Sequence, residues 1–173
     1  MRSHGTTAFI IEKGFSGFSV GKKEDKLGIR SSDTCSLILK NCRVPIENVL
    51  KAPGEGFPIA MNALDNSRIG IAAQALGIAQ GAYETALNYA QQRTTFGKPI
   101  SRHQAIGNYL ADMATKISAA RLVVYKASWA KQNHYHSGGP RHTTEASMAK
   151  LLAGDTAMWV SERAVQVLSL IHI

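Results

Sequence analysis

Two places in this chain combine residue types that could do chemistry. The first is Leu64-Asp65-Asn66-Ser67-Arg68, inside a long apolar run. Arg68 falls in the series Phe57, Met61, Leu64, Arg68, Ile71, Ala75, Ile78 and Ala82, whose steps of four and three hold side chains on one helix face. A guanidinium on an apolar seam must be paired or must reach a ligand, because an isolated buried charge is costly. Asp65, three residues earlier, is within pairing range. An internal ion pair and a ligand contact both satisfy that requirement. The second place is Arg93-Thr94-Thr95-Phe96-Gly97-Lys98, which sets an arginine, two hydroxyls and backbone N–H groups at a helix-to-helix junction. These are the groups a pyrophosphate needs. The ordinary alternative is a loop whose Arg93 compensates the negative end of its helix.

Other candidates carry less. His134, His136 and His142 surround a Gly-Gly-Pro stretch with no cysteine or carboxylate cluster nearby, so they are expected to be solvated loop residues and no metal site is expected. Gly14, Gly17, Gly21 and Lys22 lack the spacing of a phosphate-binding loop and lie in a strand-turn context. Cys35 and Cys42 are seven apart in a strand-like region, an odd offset that points them to opposite faces and indicates neither a disulfide nor a metal. The formal net charge of +8 suits an anionic partner of any kind. Its basic residues are scattered, however, without the clustering or aromatic interleaving of a nucleic-acid interface. Gln74 and Gln80 interrupt the most apolar stretch, so no run reaches the ~20 apolar residues of a membrane span. The start, MRSHGTT, has no signal-peptide hydrophobic region.

The elements that must position these residues follow from the patterning. At 45% hydrophobic, the 173 residues are enough for one domain or two small ones. Strands are expected at residues 6–12, near Phe18 to Gly21, and from Cys35 toward Pro45, with the glycine and proline residues of 45–56 as a linker. Pro58 suits the first turn of a helix running to Arg93, about 54 Å long at ~1.5 Å per residue. Ser101-Arg-His-Gln104 has the form of a capping box and opens a second helix. Its stripe is Ile106, Leu110, Met113, Ile117, Ala120, Val124 and Ala127. A third helix begins near Thr143 with the stripe Leu151, Gly154, Met158, Val165 and Leu168. Long helices on short connections imply an antiparallel bundle.

Four segments converge on a family. EDKLGIRSSDTCSLILKNCRVPIENVL, GFPIAMNALDNSRIGIAAQALGIAQGA, QQRTTFGKPISRHQAI and EASMAKLLAGDTA resemble, in order and spacing, the flavin-dependent acyl-CoA dehydrogenases, most of all the short-chain and short/branched-chain members. The resemblance runs from about Gly5 to Leu168. It implies an α+β chain: the end of a middle β-barrel domain at residues 1–52, then most of an antiparallel four-helix-bundle-type domain at 53–173. It implies the α,β-dehydrogenation of a short or branched short-chain acyl-CoA, with FAD as cofactor. Asp65 and Arg68 of the L-D-x-x-R motif would contact the CoA portion. Arg93, Thr95, Phe96, His103, Gln104 and Gln166 would contact FAD, largely that of a neighbouring subunit. The implied assembly is a homotetramer built as a dimer of dimers, with electron-transfer flavoprotein as electron acceptor. The implied compartment is the mitochondrial matrix in a eukaryote and the cytoplasm in a bacterium.

The chain also departs from that pattern. Most members carry the catalytic glutamate in a Y-E-G-T segment after the third bundle helix, which does not occur here. A minority place it just before the motif arginine, where this chain has Ser67. After Gln166-Val-Leu the family continues with a Gly-Gly turn, whereas this chain reads Ser169-Leu-Ile-His-Ile173, and those five residues are expected not to be native continuation. The expectation is an internal fragment, inactive by itself. The alternative is a non-catalytic module that binds CoA, flavin or a helical partner on the same scaffold.

Overall fold

The computed structural model describes residues 5–169, so the last four residues of the atypical tail lie outside the described part. Two units are distinguished, Met1–Met61 and Asn62–Ile173.

The first unit is built from short antiparallel pairs. β1 (Ala8–Phe9) pairs with β4 (Val49–Leu50), and β2 (Phe18–Lys23) pairs with β3 (Cys35–Leu39). Their extents differ from the sequence expectation. β1 is two residues long, because the amides beyond it make single bonds: the Ile10 N–H donates to Asn48 O at 2.9 Å. β2 runs into the charged stretch as far as Lys23, where the Lys23 ammonium meets the Asp33 carboxylate at 2.6 Å. β3 stops at Leu39, two residues before Asn41 turns through a positive φ of 53°, so Cys42 lies past the strand. The spacing argument about the cysteines therefore does not apply.

The second unit holds most of α1 (Gly56–Gln92), a small hairpin of β5 (Thr94–Thr95) and β6 (Lys98–Pro99), then α2 (Gln104–Ser137) and α3 (Thr143–Leu168). Three long helices with small sheets match the expected fold class. α2 and α3 run antiparallel, as the meetings of Lys116 with Trp159 and of Tyr109 with Arg163 require. α2 ends where Gly138 takes the left-handed conformation, φ 63°, at its C-cap.

The buried faces correct the expected stripes on two helices. On α2 the stripe holds, with Leu110, Met113, Ile117, Ala120, Val124 and Ala127 buried. On α1 the core side is Ile69, Ala72, Leu76, Ala79, Ala86 and Ala90, while Leu64, Ile71 and Ile78 are about half exposed. On α3 the core side is Ala146, Ala149, Ala153, Val160, Ala164 and Val167, while Leu151, Met158 and Val165 point outward. Counting large apolar residues selected the wrong face; on α3 the reason is that it approaches α2 through its alanines. Small side chains permit close packing at native density, so the core can be poor in bulky residues.

The capping box is a further correction. Residues Ile100–Arg102 form a separate 3-10 turn, and α2 begins at Gln104 with His103 as an N-cap that makes no side-chain cap bond. Ile100 is buried, and its N–H donates to Arg93 O at 2.8 Å, which closes the hairpin and shifts the helix start by two residues. Gln104 is thus the first helical residue instead of the third.

Candidate functional site

The charge buried on α1 is Asp65, 3% exposed, whereas Arg68 keeps 36% of its side chain in solvent. The fold reverses the expectation of a buried arginine. Asp65 faces inward one step before Ile69 on the alanine side, and Arg68 lies at that side's edge. The carboxylate gathers three donors. Arg68 Nη1 lies 2.8 Å from Oδ1, Arg141 Nη2 lies 3.0 Å from Oδ2, and the Thr143 hydroxyl donates to Oδ2 at 2.6 Å. Those bonds hold the Asp65 carboxyl below its usual range, the Thr143 hydroxyl first and the two guanidinium groups next, against burial that pushes the other way. A carboxylate so engaged is an anchor, and its lowered pKa makes it a weak base.

Around this anchor the polar contacts continue across the helices. Arg68 Nη1 also donates to Ser147 Oγ at 3.2 Å, which ties α1 to α3. Asn66 Nδ2 donates to the Tyr135 hydroxyl at 3.0 Å, which ties α1 to α2 and lowers the phenol's pKa. The Ser67 hydroxyl, at the alternative base position, is exposed and donates to Leu64 O at 3.0 Å. It is held as a helix-surface serine and carries no group that could accept a carbon-bound proton.

Arg141, Thr143 and Tyr135 are participants that sequence patterning did not single out. They come from α2, from the connection after it and from α3, 69 to 78 positions away along the chain, and no local spacing marks them. The histidine expectation needs correction too. His136 is exposed, but His142 is 1% exposed, and His134 is half-buried with its Nδ1 2.7 Å from Gly139 O. The short connection between α2 and α3 folds His142 inward, where a free loop would have solvated it.

The second candidate place lies at the other end of α1, about 37 Å away at ~1.5 Å per residue. The expected loop is a tight hairpin. Phe96 and Gly97 at its tip both have positive φ, 52° and 76°. A bulky residue in the left-handed region is uncommon and costs about 1 kcal/mol or more. Phe96 is nevertheless 96% exposed, which means its ring gains nothing from this chain's core. Thr95 Oγ1 lies 3.1 Å from His103 Nε2, and the Phe96 and His103 rings meet edge to face at 6.1 Å. Arg93 and Gln104 present exposed side chains beside them. Gln166 is exposed in the last turn of α3, which the antiparallel arrangement brings to the same end of the helices as the start of α2. The structure thus keeps Asp65 with Arg68, keeps Thr95, Phe96 and His103 together, and separates the two groups by most of α1.

Comparison with known proteins adds the following. Residues 54–170 match the family model described as acyl-CoA dehydrogenase, C-terminal domain. The chain is 50% identical over 165 residues to the short-chain specific acyl-CoA dehydrogenase of Megasphaera elsdenii, covering 95% of this chain and 42% of that protein. It is 46% identical over 168 residues to the human short-chain specific acyl-CoA dehydrogenase, mitochondrial, covering 97% of this chain and 40% of the relative. The solved structure of butyryl-CoA dehydrogenase from Megasphaera elsdenii superposes with a TM-score of 0.93 at 50% identity, over 98% of this chain and 43% of that one. The chain therefore spans about two fifths of the length of the relatives it matches.

Proposed function

This chain belongs to the acyl-CoA dehydrogenase family, and on that premise we propose that it is part of an FAD-dependent enzyme oxidising short or branched short-chain acyl-CoA to the trans-2-enoyl-CoA. The observation that carries this reading is the Asp65 anchor. A buried carboxylate holds Arg68 and Arg141 at the surface of one helix end, with guanidinium N–H groups left to meet an anionic ligand such as CoA.

FAD, when bound, supplies the acceptor for the β hydrogen leaving as hydride. The residues expected to hold it fit that task by chemistry. Arg93 offers a cation, the Thr95 hydroxyl and Gln104 amide offer hydrogen bonds, and Phe96 offers an exposed ring on a strained tip. His103 orients Thr95 through its Nε2 contact, and Gln166 stands free at the end of α3. A ring held out at 96% exposure suits a surface completed by another subunit, in keeping with a dimer of dimers.

The base that removes the α proton lies outside this chain in this reading. Asp65 is held by three donors with its pKa lowered, and position 67 is a serine. The outward rows Leu64, Ile71, Ile78 and Leu151, Met158, Val165 are then faces for the rest of the bundle, and residues 1–52 are the end of the barrel domain. Electron-transfer flavoprotein is the acceptor, in the mitochondrial matrix of a eukaryote or the cytoplasm of a bacterium.

The test uses the full-length protein with butyryl-CoA and a dye acceptor. Arg68→Ala should raise the Kd for butyryl-CoA about tenfold or more, the scale of one lost charged hydrogen bond. Arg93→Ala should lower FAD retention while leaving butyryl-CoA affinity intact. Unchanged affinities in both variants would remove both assignments. The absence of a carboxylate at position 67 also favours a second reading, a binding module without chemistry, and butyryl-CoA binding without dye reduction would select it.

A further inference from the structure

His142 is the one residue among those described that combines near-complete burial, 1% exposed, with a titratable ring lacking any hydrogen-bond partner on either nitrogen. A buried polar group left unpaired is unfavourable and rarely kept without a role. Its place in the chain supplies the role. The residues on either side, Arg141 and Thr143, are the two that reach Asp65 Oδ2. The His142 ring lies 5.7 Å from the His134 ring and 6.2 Å from the Tyr135 ring, and Tyr135 in turn accepts from Asn66 on α1. Seating this ring therefore fixes the backbone that presents Arg141 and Thr143 to the anchor.

We propose that His142 is the positioning residue of the Asp65 anchor and that it acts only as the neutral imidazole, so that protonation unseats the 141–143 segment and takes the Arg141 and Thr143 donors off Asp65. The groups facing it leave a charged ring without support. Lys131, His134 and Tyr135 face it from α2, Asp65 from α1, and Arg141 from the connection. Two of these, Lys131 and Arg141, are cations, while the single carboxylate already takes Arg68, Arg141 and Thr143. Burial is the largest cause that holds the ring below its ordinary 6.5, and His134 adds to it. For a base whose seated form is the neutral one, the seated state is fully favoured above 6.5 and loses ground as pH falls below that value. Asp65 titrates in a separate window, because its contribution is lost only below about 3.9.

This inference rests on the acyl-CoA reading of the Asp65 anchor only for its functional consequence, and the experiment separates the two. Hydrogen exchange on the full-length protein follows the amides near Ala146, whose N–H donates to His142 O at 3.0 Å. Corrected for intrinsic exchange, protection there should fall about tenfold between about pH 7.5 and about pH 5.5, the proton-binding ratio of a free imidazole one unit below its pKa. His142→Phe fills the slot without titrating and should abolish that fall. If it does not accumulate as folded protein, His142→Asn takes its place. Constant protection in the wild type, or an equal fall in the variant, overturns the proposal. Butyryl-CoA affinity measured alongside should weaken over the same interval in the wild type alone. Lost protection with unchanged affinity upholds the positioning of Asp65 and overturns only the acyl-CoA assignment of the anchor's Arg141 side.

Discussion

Replacing Asp65 with asparagine keeps the size and planarity of the side chain while removing the charge on which three donors converge. The amide oxygen of the variant could still accept from Thr143, but the amide N–H groups would face one of the two guanidinium groups. A hydrogen bond to a charged group is worth about 1.5–3 kcal/mol, and breaking a fully buried ion pair costs about 3–5 kcal/mol. The carboxylate is buried at 3% exposure, but Arg68 and Arg141 keep 36% and 55% of their side chains in water, which can rehydrate them. Solvent screening therefore reduces the loss to about 2–3 kcal/mol. For a chain of this size, at about 2–4 °C per kcal/mol, that corresponds to a fall in Tm of about 4–12 °C, read by circular dichroism on the full-length protein. The pH dependence supplies a second reading of the same group. Because the Asp65 carboxyl is held below its usual range, its stabilisation is present above about pH 3.9 and is lost as pH falls further, so the gap between wild type and Asp65→Asn should close in acid. Combining the change with Arg141→Ala should give less than the sum of the two single effects, since both act on one contact. A Tm within about 1 °C of wild type, or strictly additive single effects, would refute the view of Asp65 as an anchor for both arginines.

Two further outcomes test the packing that positions the site. Ala153 is fully buried on α3, and Ala153→Leu should cost about 1–3 kcal/mol by overpacking, whereas Leu151→Ala on the outward face of this chain should cost much less in the isolated chain; denaturant titration of each variant checks the contrast. A Cβ at Gly56 would stand 2.7 Å from Ala8 N and 2.9 Å from Thr6 O, so Gly56→Ala should destabilise the first unit by about 1–3 kcal/mol, seen as faster proteolysis before residue 56 with the helical unit left protected.

Local signals carried much of this molecule in the sequence. The presence of α1, α2 and α3 and most of their bounds follow from periodicity, from Pro58 near one start and from Gly138 at one end, because helix formation and its stop signals act over a few residues; the start of α2 does not. The Leu64-Asp65-Asn66-Ser67-Arg68 motif and the Arg93–Lys98 stretch were visible as unusual chemistry for the same reason. Tertiary structure alone decided which faces are buried. On α1 and α3 both the large-residue row and the alanine row have helical spacing, and only the placement of the neighbouring helices selects the buried row. It also decided that Asp65, and not Arg68, is the buried charge, since that depends on one step of helix rotation. The partners Arg141 and Thr143, and the burial of His142 between them, come from the far end of a different helix pair. No periodicity or spacing in one dimension records such a meeting, because it is made by three helices folding onto one another.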